Sequence, residues 1–307
     1  MRDNDLIWWN GCLVPWNAAK VHVTSETALR GLNVFEGLRA YWRPDQNCYA
    51  VVALDAHLDR LEQSARLLRI PIVGVRARLE QGVHDLLLAV SNSSDLYLRP
   101  TIYVEEGGFE TDPAAIKVGH FINWRTANAR EHRSLRCSVS TWQHIPMASL
   151  PSEAKIGASY TAFRMARLEA LSKGFDEAIL LNALGEITET PGGSVFALKG
   201  RTFSTPPLNI GILPSITRRI VLEFLCPELG LRFLERNLRV ETLRDADAAM
   251  IAGTLDEISH IGSLDEHQFP NDNGAFAAIG ELASVYRALC RGGLSERGAS
   301  WIHIVRK

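Results

Sequence analysis

A lysine, a tyrosine five residues after it, a glutamate on a strand-like run and two small turn motifs carry most of the chemistry this chain offers. Lys155 stands in Pro151-Ser152-Glu153-Ala154-Lys155-Ile156-Gly157, ahead of a helical run starting at Tyr160. A lysine whose surroundings favour its neutral amine attacks carbonyl carbon. By spacing alone Lys155 reads equally as a solvated loop lysine, and Tyr160 as an inward-facing core residue. Glu189 lies in the run 187–190, where a carboxylate meets either a heterocyclic nitrogen or plain water. Leu213-Pro214-Ser215-Ile216-Thr217-Arg218 opens a helix, and free first-turn N–H groups with the helix dipole suit a phosphate there. Gly253-Thr254-Leu255 follows a strand and is either a second anion-binding turn or a plain turn. Pro191-Gly192-Gly193-Ser194 lacks both G-x-G-x-x-G and the lysine of a P-loop. Arg60 sits beside the apolar seam of a helix, where a salt bridge is the ordinary explanation. The nine histidines form no H-E-x-x-H or similar cluster, so no metal site is expected.

Two cores are needed to position these residues, and 307 residues suffice for two domains. Hydrophobic residues at 46% and charged ones at 22% give an ordinary globular balance. A net charge of −2 without basic runs argues against nucleic acid or an anionic membrane as partner. The first residues read as neither signal nor transit peptide, and no apolar run approaches membrane-spanning length. Five scattered cysteines without a C-x-x-C pair argue against zinc and disulfides, so a cytoplasmic location is expected.

Along the chain, Leu6-Ile7-Trp8-Trp9, the turn Asn10-Gly11 and Cys12-Leu13-Val14 spell a hairpin. Strands are expected over 34–41, 49–53 and 96–104, the last with Tyr97, Arg99, Thr101 and Tyr103 on one face. Apolar spacing of 4-3-4-3 predicts a helix over 55–68, and a second is expected over 79–90. The polar stretch 123–134 reads as an interdomain linker loop between a small N-terminal α+β domain, 1–122, and a large C-terminal domain, 135–307, carrying Lys155. In the latter, strands are expected at 178–182, 187–190, 195–198, 231–235 and 248–252. Helices are expected at 160–173, 217–225 and 277–291. The fold class is α+β or mixed α/β, the second domain being barrel-like.

The order of these segments resembles the branched-chain aminotransferase family, which is pyridoxal-5′-phosphate (PLP)-dependent, of aminotransferase class IV and fold type IV. The resemblance is carried by Ile7-Trp8-Trp9-Asn10-Gly11, Val34-Phe35-Glu36-Gly37-Leu38-Arg39, His57-Leu58-Asp59-Arg60-Leu61 and Tyr97-Leu98-Arg99-Pro100. It continues through Ala154-Lys155, Tyr160, Ile187-Thr188-Glu189, the 213–218 motif and Gly253-Thr254. It implies that Lys155 carries PLP covalently, that Glu189 pairs with the ring nitrogen and that Tyr160 bonds the phenolic oxygen. Arg60, the amides of Ile216 and Thr217, and the Thr254 hydroxyl would hold the phosphate. Tyr97, helped by the turn at Thr254-Leu255, would hold the substrate α-carboxylate, and Arg99 the distal carboxylate of glutamate. Phe35 matches a pocket wall, and Trp124 an aromatic near the interdomain loop.

The resemblance further implies transfer of an amino group between an L-amino acid and a 2-oxo acid such as 2-oxoglutarate, by a homodimer. An aminodeoxychorismate-lyase-like elimination and a D-amino acid or (R)-amine transaminase are the alternatives. Arg30 departs from the family, which typically has a tyrosine there. The ordinary reading pairs Arg30 with a local carboxylate such as Glu26, four residues earlier; the functional reading sets it near Arg99 in a pocket too cationic for an aliphatic side chain, and a preference for a polar or acidic side chain over leucine and valine is expected.

Overall fold

Asn10 and Gly11 both hold positive φ, 49° and 102°, the requirement of a type I′ turn. They join Leu6–Trp9 to Cys12–Pro15 in an antiparallel pair, the hairpin expected from the dipeptide. The computed structural model describes residues 5–108, 111–127, 134–292 and 296–307. It divides into two compact units of nearly equal length. The first comprises Met1–Ala129, Ala154–Ala158 and Leu289–Lys307, and the second Arg130–Glu153 and Ser159–Ala288.

In the first unit an eight-stranded sheet runs in the order Ile302–Arg306, Cys48–Val52, Leu38–Arg43, Leu96–Glu106, Lys117–Thr126, Leu6–Trp9, Cys12–Pro15. Asn33–Phe35 pairs separately with Leu96–Glu106. Helix Leu54–Leu67 buries Leu54, Leu58, Leu61 and Ala65, the stripe its spacing foretells, and helix Val75–Ala89 lays Leu79, Val83, Leu86 and Leu87 into the same core. Leu96, Leu98, Ile102 and Val104 meet them from the sheet.

Gly82 marks the tightest approach in this core. A Cβ there would stand 2.5 Å from the Trp8 ring and 3.0 Å from Ile122 Cδ1. Helix propensity favours Gly82→Ala by about 1 kcal/mol. Overpacking against a buried indole costs about 1–3 kcal/mol and should win. Urea unfolding is expected to show Gly82→Ala less stable than the parent; equal or greater stability would mean that Trp8 yields freely.

The second unit has its own eight-stranded sheet, ordered Arg232–Glu235, Thr202–Thr205, Ser194–Lys199, Ala248–Gly253, Glu257–Leu264, Leu135–Val139, Glu177–Ile179, with His267–Gln268 on Glu257–Leu264. Its core gathers Leu135, Cys137, Val195, Ala197, Ala249, Ile251 and Ile261. Helices Tyr160–Ser172 and Gly274–Cys290 flank the strands in sequence. Among the described residues the strand path runs from Arg232–Glu235 to Glu177–Ile179. No described helix is long and apolar enough to cross a membrane.

Four expectations are corrected. The strand expected over 34–41 is two, Asn33–Phe35 and Leu38–Arg43, which keep one register on Leu96–Glu106; the Glu36 amide donates to Pro100 O at 2.9 Å, and Pro100 has no N–H with which to return the bond. Residues 123–126 are no linker: they end the strand Lys117–Thr126, with Asn123 opposite Arg99 and Arg125 opposite Tyr97. Their polarity is that of the less buried end of a strand; 128–133 lie outside the described residues. Residues 187–190 make only isolated bridges, Leu181 with Ile187 and Glu189 with Ser194. Lys155 belongs to the first unit, since Ile156 bridges Val34 and the Gly157 amide donates to Asn33 O at 3.0 Å.

Candidate active site

In the first unit, His57, Arg60 and Ser64 follow one another at helical spacing beside the apolar stripe of Leu54–Leu67. This polar stripe faces Glu36, which is fully buried. Arg60 donates from Nε to Glu36 Oε1 at 2.7 Å and from Nη2 to Oε2 at 2.8 Å, and His57 Nδ1 lies 2.7 Å from Oε2. Burial alone would raise the Glu36 carboxyl, but the Arg60 guanidinium and the His57 bond hold it far below the carboxylate range. Burial pushes His57 below its ordinary 6.5 and the charges of Arg60 and Lys155 add to this, with Glu36 opposing.

Ser64 links this cluster to the lysine. Its hydroxyl donates to Arg60 O at 2.8 Å and accepts from the Lys155 amide at 3.0 Å. Lys155 O in turn accepts from the Phe35 amide at 3.1 Å. The Lys155 backbone is therefore pinned on both sides, and the side chain is half-buried with Nζ 5.1 Å from the Phe35 ring centre. Arg99 Cζ lies 3.6 Å from the centre of the same ring. Tyr97 packs so closely on Gly37 that a Cβ there would come 2.6 Å from its hydroxyl, and Arg125 lies over its ring. Trp124 Nε1 donates to Leu6 O at 2.9 Å. Arg30 Nη1 meets both carboxylate oxygens of Glu26 at 2.6 Å, the pairing that the four-residue spacing allows.

In the second unit, Glu189 is buried at 6% exposure. Its Oε1 accepts from the Leu213 amide at 3.2 Å and lies 2.9 Å from His144 Nε2. Its Oε2 accepts no hydrogen bond from the described residues. Helix Ile216–Ile220 starts behind Ser215, whose hydroxyl accepts from the Arg218 amide at 3.2 Å. The amides of the buried Ile216 and Thr217 have no acceptor among the described residues, as expected at a first turn. Arg218, also buried, braces this start through Pro206 O at 2.9 Å and the Glu235 carboxylate. Thr254 and Leu255 lie in the turn between Ala248–Gly253 and Glu257–Leu264, and the Thr254 hydroxyl bonds to no described residue. The glycines of 192–193 answer a packing need, since a Cβ on Gly193 would meet Ala252 O at 2.6 Å. Tyr160 begins helix Tyr160–Ser172, half-buried, its ring 5.2 Å from Phe163.

Sequence reasoning missed Glu36, His57 and Ser64 as partners, although the first two stand in the quoted motifs and the i, i+3, i+7 spacing of His57, Arg60 and Ser64 was visible. It had no signal for His144, which lies in an irregular segment 45 residues before Glu189. Among the described residues no group of three or more His, Cys, Asp or Glu side chains is placed to hold a metal.

The first unit thus holds a lysine pinned through its backbone, and the second a buried carboxylate with an open oxygen and a helix start with bare amides. The family model described as amino-transferase class IV matches residues 33–264. The branched-chain-amino-acid aminotransferase of Escherichia coli (strain K12) is 33% identical over 272 residues, covering 85% of each chain. The branched-chain amino acid aminotransferase of Thermobaculum terrenum in its PLP form superposes with a TM-score of 0.92 at 31% identity, covering 100% of both chains. The branched-chain aminotransferase of Thermoproteus uzoniensis with norvaline superposes at 0.91 and 30%, covering 98% of this chain and 99% of that one. The chain belongs to the branched-chain aminotransferase family within the class IV aminotransferases, and is a PLP-dependent aminotransferase of fold type IV. Its residues fit the cofactor: the open Glu189 Oε2 suits a protonated ring nitrogen, and the bare amides of Ile216 and Thr217 suit a phosphate.

Proposed function

We propose that the enzyme transfers an amino group between an aliphatic, branched-chain-type L-amino acid and 2-oxoglutarate, with Lys155 as the covalent anchor of PLP. In this reading Glu189 faces the ring nitrogen, Tyr160 the phenolic oxygen, and Arg60, Ile216, Thr217 and Thr254 the phosphate. Bound PLP supplies an electron sink for negative charge at the substrate Cα. With PLP bound, the Lys155 amine would be the base that moves the proton at the substrate Cα. Tyr97 with the turn at Thr254-Leu255 orients the α-carboxylate.

The observation that carries the substrate reading is the Phe35 ring, with Lys155 Nζ 5.1 Å and Arg99 Cζ 3.6 Å from its centre. An aromatic wall beside the reacting amine accepts an aliphatic side chain, and the guanidinium on that wall accepts the distal carboxylate of glutamate. The pairing of Arg30 with Glu26 supports the aliphatic substrate over a polar or acidic one.

Borohydride reduction and peptide mapping should place the pyridoxyl group on Lys155; recovery on Lys117, Lys173 or Lys199 would overturn the anchor. A panel of amino donors and 2-oxo acids should show leucine, isoleucine or valine as the best donors with 2-oxoglutarate. Pyruvate or ammonia release without amino transfer would point to the lyase instead. Arg30→Tyr should change the leucine-to-glutamate ratio of kcat/KM by less than about twofold. A shift of about tenfold, equivalent to about 1.4 kcal/mol, would show that Arg30 faces the substrate after all.

A further inference from the structure

We infer that His144 is a positioning residue that, as an imidazolium, holds Glu189 Oε1 and directs its second oxygen toward the cofactor, an inference resting on the reading of Glu189 as the partner of the ring nitrogen. The geometry is specific about protons. His144 Nδ1 lies 3.0 Å from Ile145 O, and Nε2 lies 2.9 Å from Glu189 Oε1. Both ring nitrogens thus face oxygens that only accept. A neutral imidazole has one N–H and would set a lone pair against one of them; the imidazolium satisfies both. The backbone amide of His144 donates to Leu181 O at 2.9 Å, which fixes the segment, and the Phe163 ring packs 5.5 Å away. His144 and Glu189 are both more than nine-tenths buried.

The consequences follow from charge. An imidazolium on Oε1 sets a fixed positive charge behind the carboxylate and leaves Oε2 to face a ring nitrogen. The Leu213 amide on the same Oε1 fixes the carboxylate rotamer, leaving Oε2 as the working atom. Among the described residues, Glu189 is the charged group facing the imidazole; the other neighbours are the Ile145 carbonyl and the uncharged Phe163 ring. Burial would lower the titration of His144, but its bond to Glu189, that carboxylate's charge and the Ile145 carbonyl raise it above the ordinary 6.5. A histidine so raised contributes its full stabilisation below its unfolded value and loses it as pH rises through the folded value. Loss of catalytic competence should follow on the alkaline side.

The test uses holoenzyme labelled with [15N]histidine, the His144 signals being assigned by their loss in His144→Gln. Both ring nitrogens should be protonated at about pH 7 in the parent, and the ring should titrate lower in Glu189→Gln. His144→Gln should lower kcat by about tenfold, release PLP faster, leave KM for the amino donor within about twofold and remove the alkaline limb of the kcat profile. His144→Arg, a permanent cation, should restore kcat to within about threefold and move that limb upward by at least about one pH unit. A neutral His144 ring at about pH 7, or a His144→Gln enzyme matching the parent in kcat, PLP release and pH profile, would overturn the inference. If Glu189→Gln collapses turnover while His144→Gln does not, only the role of His144 fails. If Glu189→Gln is itself unaffected, the reading of Glu189 fails and takes this one with it.

Discussion

Glu189→Gln is expected to retain PLP and to lose about a thousandfold or more in turnover, equivalent to about 4 kcal/mol of transition-state stabilisation. The carboxamide nearly preserves the volume of a buried side chain and can still accept from the Leu213 amide, so the fold has little reason to respond. What changes is charge. A neutral amide facing a ring nitrogen does not hold a proton there, and an unprotonated ring withdraws electrons from Cα poorly. Retention of the cofactor follows because the groups proposed for its phosphate, the amides of Ile216 and Thr217 and the Thr254 hydroxyl, are untouched. Stopped-flow turnover alongside the visible absorbance of bound PLP measures both halves of the expectation. A variant within about tenfold of the parent would remove Glu189 from the chemistry.

Glu36→Ala should be the most damaging single truncation in the first unit, at about 3–5 kcal/mol. It removes an anion that receives Arg60 through two hydrogen bonds and His57 through a third, all inside a core where Glu36 itself is fully buried. Taking the carboxylate away from a largely buried guanidinium is costly because two charge-assisted hydrogen bonds are lost where water has little access. Urea unfolding of the apoenzyme measures it, free of the phosphate that is proposed to meet Arg60. A loss below about 1 kcal/mol would mean that water reaches Arg60. The same pair predicts an acid limit: the folded carboxyl titrates far below its ordinary 4.5, so its stabilisation is complete above about pH 4.5 and falls away as acid is added. Glu36→Ala should flatten that part of the pH–stability curve.

Much of the site was legible because it is written in residue types at local spacing. The alternation over 96–104 put Tyr97 and Arg99 on one face, and the strand Leu96–Glu106 leaves both half-buried while Leu96 and Leu98 are buried. Ser215 before Ile216 announced a helix start, and the structure caps it there. The partners of these groups were not legible. His144 comes from an irregular segment whose position depends on tertiary bonds such as that of its amide to Leu181 O. Arg60 invited two readings, salt bridge or phosphate, and its bond to Glu36 depends on the packing of Leu54–Leu67 against the sheet face that Glu36 shares with Val34 and Leu38.

By itself the sequence determined whatever is decided within about one helical turn or one hairpin. The Asn10-Gly11 turn, the apolar face of Leu54–Leu67 and the end of Tyr160–Ser172 before Gly174, at φ 82°, all rest on local sterics and the burial of one stripe. Periodicity says which face a segment hides, but not against what. Only the tertiary structure decided that Ile302–Arg306 closes one edge of the first sheet by pairing with Cys48–Val52, some 250 positions away in sequence. It also decided that Ala154–Ala158 leaves the following segment to join Asn33–Phe35, and that His144 meets Glu189. Such pairings are chosen by which surfaces can be buried with every backbone and charged group satisfied. That condition applies to the folded whole and leaves no mark in any short window of sequence.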